Sequence, residues 1–420
     1  MPIDTDILIC GGGCAGLGAA LAAARNGAKT MLVERAGFAG GIITAVGLPY
    51  FDGICDKQTR TIVVRGIPLE FLVEMGVCVA DAVTLPKHNI TINNTDRFKL
   101  VADRFLAREQ DRMKVWYHTS VCDVATTGDR ISEVRVANKA GLVTIRPKVV
   151  VDCTGDADVA AWSGAPFEKS TPLMPMTMHF RVGNVRRTPD TSKLCREALM
   201  RANEDGSLKM FYGPGVIFNF AADEAYIHAV RVSGDASDPD QLTAAEMQGR
   251  ADAWTMFERW KRDVPGFEEA YFISSGPYMG VRETRRIIGR YVFTENDIKQ
   301  DRRFDDAIAT GCWYLDMHPN EATPGSAQTT LGYQPGPYDI PYGSILATKV
   351  NNLLVAGRCH SATRWAASST RVTVTAMAMG QAAGTAAALA IEKGISPHEI
   401  AGTIVRSTLE QQHAGPYYRA

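Results

Sequence analysis

The chain has 420 residues. It contains no C-x-x-C or C-x4-C pair, no basic stretch, no metal-ligand spacing among its histidines and no internal repeat or low-complexity tract. Each absence closes a class of function. Its nine cysteines are scattered from Cys10 to Cys359 and odd in number, which argues against a disulfide framework and suits buried thiols in a reducing cytoplasm. Cys10 and Cys14 flank a glycine turn, but one falls in a strand and the other in the turn, so they do not read as a redox pair. Net charge is −1, and neither a nucleic-acid nor a membrane-surface partner is expected. No metal is expected either. The first residues lack a basic segment followed by an apolar one, the mark of a signal peptide. The most apolar late segment, Ala376 to Ile391, carries Gln381 and is too short to span a membrane easily. A cytoplasmic protein is expected. Its length exceeds what one core serves, so two domains are expected.

What is present is organised around Asp4 to Glu34. An apolar strand, DTDILIC, runs into GGGCAG at 11–16, then a small-residue helix, then the strand TMLVE. Gly11, Gly13 and Gly16 form G-x-G-x-x-G at a strand-to-helix junction. The first glycine permits the turn, the second lets backbone approach a pyrophosphate, and the third seats the helix close to the sheet. The first-turn residues Cys14 and Ala15 then present the helix N-terminus to phosphates. Glu34 lies where an acid accepts from a ribose 2′-OH and disfavours a 2′-phosphate. Gly40 and Gly41, just beyond the second strand, point to a flavin dinucleotide rather than NAD, because a cofactor buried along its length needs backbone close to it.

Residues 42–96 leave this pattern. Pro68 to Met75 reads as a short helix ended by Gly76, and Arg97 to Gln110 as an amphipathic helix burying Phe98, Val101, Phe105 and Leu106. A strand meander follows and ends in the apolar run Lys148 to Val151. Asp152 to Asp158, DCTGDAD, is the second motif. Gly155 there allows close backbone approach, and Asp156 either caps the next helix or holds ligand. From Pro166 the pattern shifts to strand-like runs, helices over Leu242 to Arg262, and strands again through Ile298. The alternating α/β pattern resumes near Tyr338, with an apolar strand at Leu353 to Val355 and a small-residue helix ended by Gly394. The fold class expected is an α/β Rossmann-like dinucleotide domain, discontinuous in sequence (1–50, 96–165 and 338–420), with an inserted α+β substrate or cap domain rich in antiparallel sheet (51–95 and 166–337).

These motifs, with RETRR at 282–286, YLDMH at 314–318, IPYGS at 340–344 and the run from AGRCHSA at 356 to AMGQAAGTAAA ending at 388, resemble a bacterial family of FAD-dependent oxidoreductases with a glutathione-reductase-like FAD domain. That family is distantly related to fumarate reductase and succinate dehydrogenase flavoproteins. The resemblance covers most of the chain in order. It implies that Gly11, Gly13, Gly16, Glu34, Arg35, Gly41, Thr154, Gly155, Gly357 and Arg358 contact FAD. It also implies that Val121 offers its backbone to the adenine, and that a helix beginning near Thr375 and Ala376 points its N-terminus at the flavin, stabilising the anionic reduced form. One departure stands out: His360 replaces an expected aliphatic residue, and Arg364, followed by Trp365, stands where histidine is common.

Flavin carries the redox chemistry, so the protein's task is orientation, proton transfer and substrate anchoring. Asp316 and His318, two apart, share a face if they lie on a strand, and the acid can then set the imidazole tautomer. His318 is either a proton carrier or a structural histidine. His360 has the same two readings and is the one suspect for a covalent flavin link, although non-covalent FAD is expected. Arg364 and Arg371 either bind a substrate carboxylate or pair with cap-domain acids. Arg282, Arg285 and Arg286 with Glu283 read as an ion-pair cluster, and Trp365 and Tyr342 as stacking or core residues. The function expected is an FAD-dependent dehydrogenase or oxidase. It passes hydride from a small organic molecule to flavin N5, with oxygen, a quinone or an electron-transfer protein as acceptor. The alternatives are a reductase of an activated C=C bond, a flavin monooxygenase, or a non-catalytic dinucleotide-binding protein. A homodimer rests on the resemblance alone.

Overall fold

The computed structural model describes residues 1–92, 94–213, 215–217, 223–318 and 333–414. Strand β1 (Ile3–Cys10), helix α1 (Cys14–Arg25) and strand β2 (Thr30–Val33) open the chain, and β1 and β2 pair in parallel. Helices α2 (Ile67–Glu74) and α3 (Thr95–Arg108) lead to β3 (Met113–Trp116), parallel to β2. The antiparallel meander β4 (Ser120–Thr127), β5 (Arg130–Asn138) and β6 (Gly141–Asp152) follows. The second half of β6 pairs in parallel with β1 on one side and with the late strand at Leu353–Val355 on the other. The order is β3-β2-β1-β6-β5-β4, with the late strand beside β6. Side-chain alternation along β1 sends Ile7 and Ile9 to one face and Leu8 and Cys10 to the other, so both faces are buried and the strand reads as unbroken apolar sequence.

Beyond α4 (Asp158–Trp162) lies a second unit. Strand β7 (Phe167–Lys169) is set apart from it. Strands β8 (Phe180–Gly183), β9 (Val216–Ile217), β10 (Ala225–Ile227) and β11 (Tyr271–Ser275) form an antiparallel sheet of order β11-β8-β10-β9. Helices α5 (Thr191–Glu204) and α6 (Pro239–Asp263) cover it around a separate core from Met176 to Met279. Trp260 sits there fully buried, its indole N–H donating to the Cys195 carbonyl at 3.0 Å. Part of the second strand-like run, 218–222, and residues 319–332 of the expected cap domain fall outside the described residues. Strand β12 (Arg285–Ile287) pairs with β7. Short helix α7 (Glu295–Lys299), paired strands β13 (Ala307–Gly311) and β14 (Tyr338–Pro341), and β15 (Leu353–Val355) then lead into α8 (Arg364–Thr370), α9 (Thr373–Lys393) and α10 (Gly402–Gln411). The molecule thus combines a parallel-strand sheet with additional antiparallel sheets. Phe51, Ile54, Phe71 and Leu72 join the core of α1 and α9 rather than the core beneath the four-stranded sheet.

Several boundaries moved for local reasons. Helix α3 starts at Thr95 because the Asn94 side chain accepts from the Arg97 amide at 2.8 Å. Helix α6 begins at Pro239, capped by Asp238. A helix replaces the strand expected at Glu295 because Thr294 and Asp297 form a reciprocal capping box. Helix α9 starts at Thr373, so it is long and apolar enough to cross a membrane by length and composition. Yet 83% of its most apolar window is buried within the protein. Its glycines Gly380 and Gly384 pack against α1. A Cβ added at Gly380 would lie 1.9 Å from the Ala15 carbonyl oxygen, and one at Gly384 would lie 2.1 Å from that of Ala19.

Candidate functional site

The first half of the site is backbone. The β1-to-α1 turn needs glycine twice for separate reasons. Gly11 has φ +100°, and a Cβ on Gly16 would sit 1.8 Å from the Gly11 carbonyl oxygen. Gly13 differs: a Cβ there would meet nothing nearer than the Gly41 Cα at 3.9 Å. No side chain caps α1, whose N-cap is Gly13, and none caps α9, so each helix start presents amide donors with no side-chain acceptor. The two starts converge. An added Cβ on Gly357 would lie 2.9 Å from the Ala15 Cβ and 3.9 Å from that of Ala376. The second glycine pair backs the first: the Gly40 amide donates to the Gly12 carbonyl at 2.8 Å, and the buried Cys14 thiol reaches the Gly40 carbonyl at 3.6 Å. Burial pushes that thiol up to about 12, so it is inert.

Glu34 accepts from the Gly12 amide at 2.6 Å and the Ala36 amide at 2.7 Å, which ties the second strand to the glycine turn. Arg35 is exposed and stacks over Tyr278, 5.2 Å from the ring centre. The start of β4 approaches the same strand end. The Thr119 amide donates to the Glu34 carbonyl at 2.9 Å, and Val121 follows two residues on, half-buried. At the end of β6 the capping role belongs to Asp152 rather than Asp156. Asp152 accepts from the Thr154 amide and hydroxyl and from the Ala160 amide at 3.0 Å in the first turn of α4. Asp156 instead accepts from Thr284 at 2.6 Å and pairs with Arg358 at 2.8 Å. Arg358 in turn lies against Gly155, 2.9 Å from where its Cβ would be.

The second half is side chains. Asp316 and His318 do come together, with Oδ1 to Nε2 at 3.0 Å, although no strand forms there and the contact is poorly aligned for a hydrogen bond. Arg371, two residues before α9, donates to the Asp316 carbonyl at 2.9 Å and carboxylate at 3.2 Å. Opposite them the four-stranded sheet contributes His179, Tyr226 and His228, with Arg231 and Arg282 close by. His179 bonds the Tyr226 hydroxyl, and its ring lies 4.6 Å from that of His228. Arg282 reaches His228 at 3.3 Å, and Arg231 stacks over Tyr212 at 4.4 Å. Tyr212 packs edge-on to His318 at 5.9 Å, which joins the two walls. Tyr50 packs edge-on to Tyr226 at 6.2 Å, while Thr373 in the first turn of α9 bonds the Tyr50 carbonyl and the Asp52 amide, both at 3.1 Å. Residues 50–52 therefore link the start of α9 to this cluster.

Its electrostatics follow from burial. Burial, then Arg282, takes His318 down to about 3, so it is neutral. Burial, with Arg282 and Arg231 near, takes His179 and His228 well below the usual histidine value. Burial pushes the Asp316 carboxyl up, but His318, Arg371 and Arg282 outweigh it and hold it ionised. Burial, then Asp316, drives Asp52 the other way, well above the usual carboxylate range.

The remaining expected residues lie elsewhere. His360 is fully buried, bonds Thr370 through Nε2 at 2.7 Å and does not reach the cluster. Arg364 faces Glu283 at 3.2 Å, and Glu283 also holds Arg286 at 2.7 Å. Arg282 leaves that ion-pair group, which corrects the reading of RETRR as one cluster. Tyr342 is core, its hydroxyl bonded to the Pro397 carbonyl. Arg231, His179, His228 and Asp52 were missed from the sequence. The available signal was polar residues inside apolar strand runs, as in PMTMHFRV and AYIHAVRV. Among the described residues no group of three His, Cys, Asp or Glu is placed to hold a metal, and all nine cysteines are unpaired.

The model of the FAD-dependent oxidoreductase family matches residues 6–409. The chain belongs to that family, and it is a flavoenzyme whose cofactor is FAD. Among curated proteins none is similar enough to count as a match. Among solved structures it is similar to a geranylgeranyl bacteriochlorophyll reductase-like protein from Thermoplasma acidophilum. That match has 14% identity and TM-score 0.49, covering 99% of this chain and 85% of that one. It is also similar to p-nitrophenol 4-monooxygenase PnpA from Pseudomonas putida DLL-E4, with 12% identity, TM-score 0.47 and coverage of 95% and 83%. A third is the myxobacterial chondrochloren halogenase CndH, with 12% identity, TM-score 0.45 and coverage of 98% and 79%. The residues present fit a dinucleotide flavin. Two helix starts without side-chain caps converge, a Cβ at Gly13 would meet only the Gly41 Cα, at 3.9 Å, and among the described residues the buried Thr375 hydroxyl has no partner.

Proposed function

We propose that the protein is a dehydrogenase or oxidase of a small organic molecule, with FAD along a Rossmann-like domain and the substrate in the histidine–arginine cluster. The carrying observation is that Arg371, Asp316 and His318 form one network directly before α9, whose uncapped start is the expected flavin contact. When bound, FAD supplies the hydride acceptor, and an external acceptor reoxidises it. The α1 start with Gly13, Cys14 and Ala15 holds the pyrophosphate; Glu34, Arg35 and Val121 face the adenosine half. Thr154, Gly155, Asp156, Gly357 and Arg358 line its length, and Thr375 and Ala376 meet the ring system.

His318 takes the substrate proton. It is neutral at working pH, with the Asp316 carboxylate 3.0 Å from Nε2, so its imidazole has a lone pair to accept the proton. Arg371 keeps Asp316 ionised and oriented. The neutral His179 and His228, with Tyr226, orient the substrate by hydrogen bonds. His360 is a buried residue bonded to Thr370 through Nε2, outside the cluster, and the flavin is held non-covalently. The test is anaerobic single-turnover flavin reduction. His318→Gln slows it on the order of 100-fold with flavin content unchanged. An unchanged rate would remove His318 as the base, and rapid NAD(P)H oxidation by the wild type would mark a monooxygenase instead.

A further inference from the structure

The cluster holds more positive charge than its own acids balance. Arg231 and Arg282 are both buried. Arg231 donates only to neutral acceptors: the Thr177 hydroxyl at 2.9 Å and the Val230 and His228 carbonyls at 3.0 and 3.4 Å. Among the described residues its Nη2 has no hydrogen-bond partner. Arg282 likewise bonds the Pro175 carbonyl at 2.7 Å, the Thr177 hydroxyl and the His228 ring. Thr177 thus accepts from both guanidiniums and holds them side by side. Among the described residues neither arginine has a carboxylate partner. Asp316 is engaged by Arg371 and His318, and Glu283, next to Arg282 in sequence, faces Arg286 and Arg364 instead.

An arginine does not shed its proton to escape burial. A buried unpaired charge costs several kcal/mol, so a pair of them points to an anion that arrives with the ligand. The site lies between the cap sheet and the start of α9, within reach of His318 through Tyr212. We propose that Arg231 and Arg282 together receive the carboxylate of the substrate, so that the protein acts on a small organic acid. This rests on the reading above that the cluster is the substrate site. The two planar forks, joined at Thr177, offer donors to both oxygens of one carboxylate. Tyr212, Tyr226 and His179 exclude water around it, and the carbon bearing the hydrogen then lies toward His318.

The test is isothermal titration of the FAD-loaded full chain with malonate, beside its neutral diamide malonamide, at matched ionic strength. Saturable malonate binding without malonamide binding is expected. Arg231→Gln and Arg282→Gln should each weaken malonate on the order of 100-fold while retaining flavin. Equal binding of malonate and malonamide, wild-type affinity in both variants, or tighter binding of inorganic phosphate than of malonate would overturn the proposal. If either variant fails to fold, the malonate–malonamide comparison on the wild type still decides. Binding needs no turnover. A failed His318 test therefore leaves this result standing, and a failure here beside an intact His318 dependence removes only the carboxylate.

Discussion

The two halves of the site recognise by opposite means. The proposed cofactor half is built mainly of backbone: glycine turns, helix starts and strand ends, with the charged side chains Glu34, Asp156 and Arg358 bonded to the protein itself. The proposed substrate half is made of side chains that burial has pushed far from their ordinary state, with neutral histidines, an ionised Asp316 and two arginines that lack acid partners among the described residues. A backbone site is rigid and fails by steric intrusion. A side-chain site is electrostatically tuned and fails by loss of one charge or one proton. The first suits a cofactor held permanently, and the second suits a substrate that must enter, react and leave.

That contrast can be broken most violently at Gly16. Gly16→Val places atoms where the Gly11 carbonyl already lies, so thermal melting should show destabilisation of more than about 4 kcal/mol or no soluble protein. Gly13→Val separates cofactor from fold. A Cβ there would meet only the Gly41 Cα, at an ordinary contact distance of 3.9 Å, so flavin released by acid should fall at least about tenfold while apo stability changes by less than about 1 kcal/mol. A parallel collapse of both would make Gly13 a packing residue. On the substrate side, Asp316→Asn should slow single-turnover reduction about tenfold and shift its pH profile, with flavin content intact; an unaltered profile would detach Asp316 from the proton path.

The gentlest probe is pH. His318 and His360 are each held down to about 3, by burial first and then by Arg282 and Arg286 respectively. In the unfolded chain they titrate near about 6.5. The native state therefore binds fewer protons between these values. The stability is fully present above the unfolded value and is lost as pH falls toward about 3, by up to about 1.4 kcal/mol per pH unit for each histidine. Asp52, whose carboxyl is raised by burial, opposes this with one proton. Denaturant midpoints measured from pH 7 to 5 should fall, and His360→Asn should flatten the slope. A flat wild-type curve would mean these histidines are solvated.

The backbone geometry of the proposed cofactor half was legible because backbone chemistry leaves marks at fixed spacing. Gly11, Gly16 and the DCTG turn are constrained by local geometry, and β15 lies at Leu353–Val355 as the apolar run indicated. Asp156 was half-legible: its acid was visible, but the cap belongs to Asp152, the last residue of β6, whose carboxylate reaches the Ala160 amide. The substrate half was mostly hidden. Arg231 and Arg282 lie 51 residues apart in sequence and meet at Thr177 and His228, a long-range event that no spacing encodes. Asp316 and His318 were found because they are neighbours in sequence, yet their meeting did not need the strand that suggested it.

The most direct measurement is the visible flavin spectrum of the FAD-loaded protein during malonate titration. If the charged cluster adjoins the flavin at the start of α9, the wild-type band shifts saturably and the shift is lost in Arg231→Gln. Calorimetric binding of malonate with an unmoved flavin band would contradict this, because it would place the arginine site away from the redox centre.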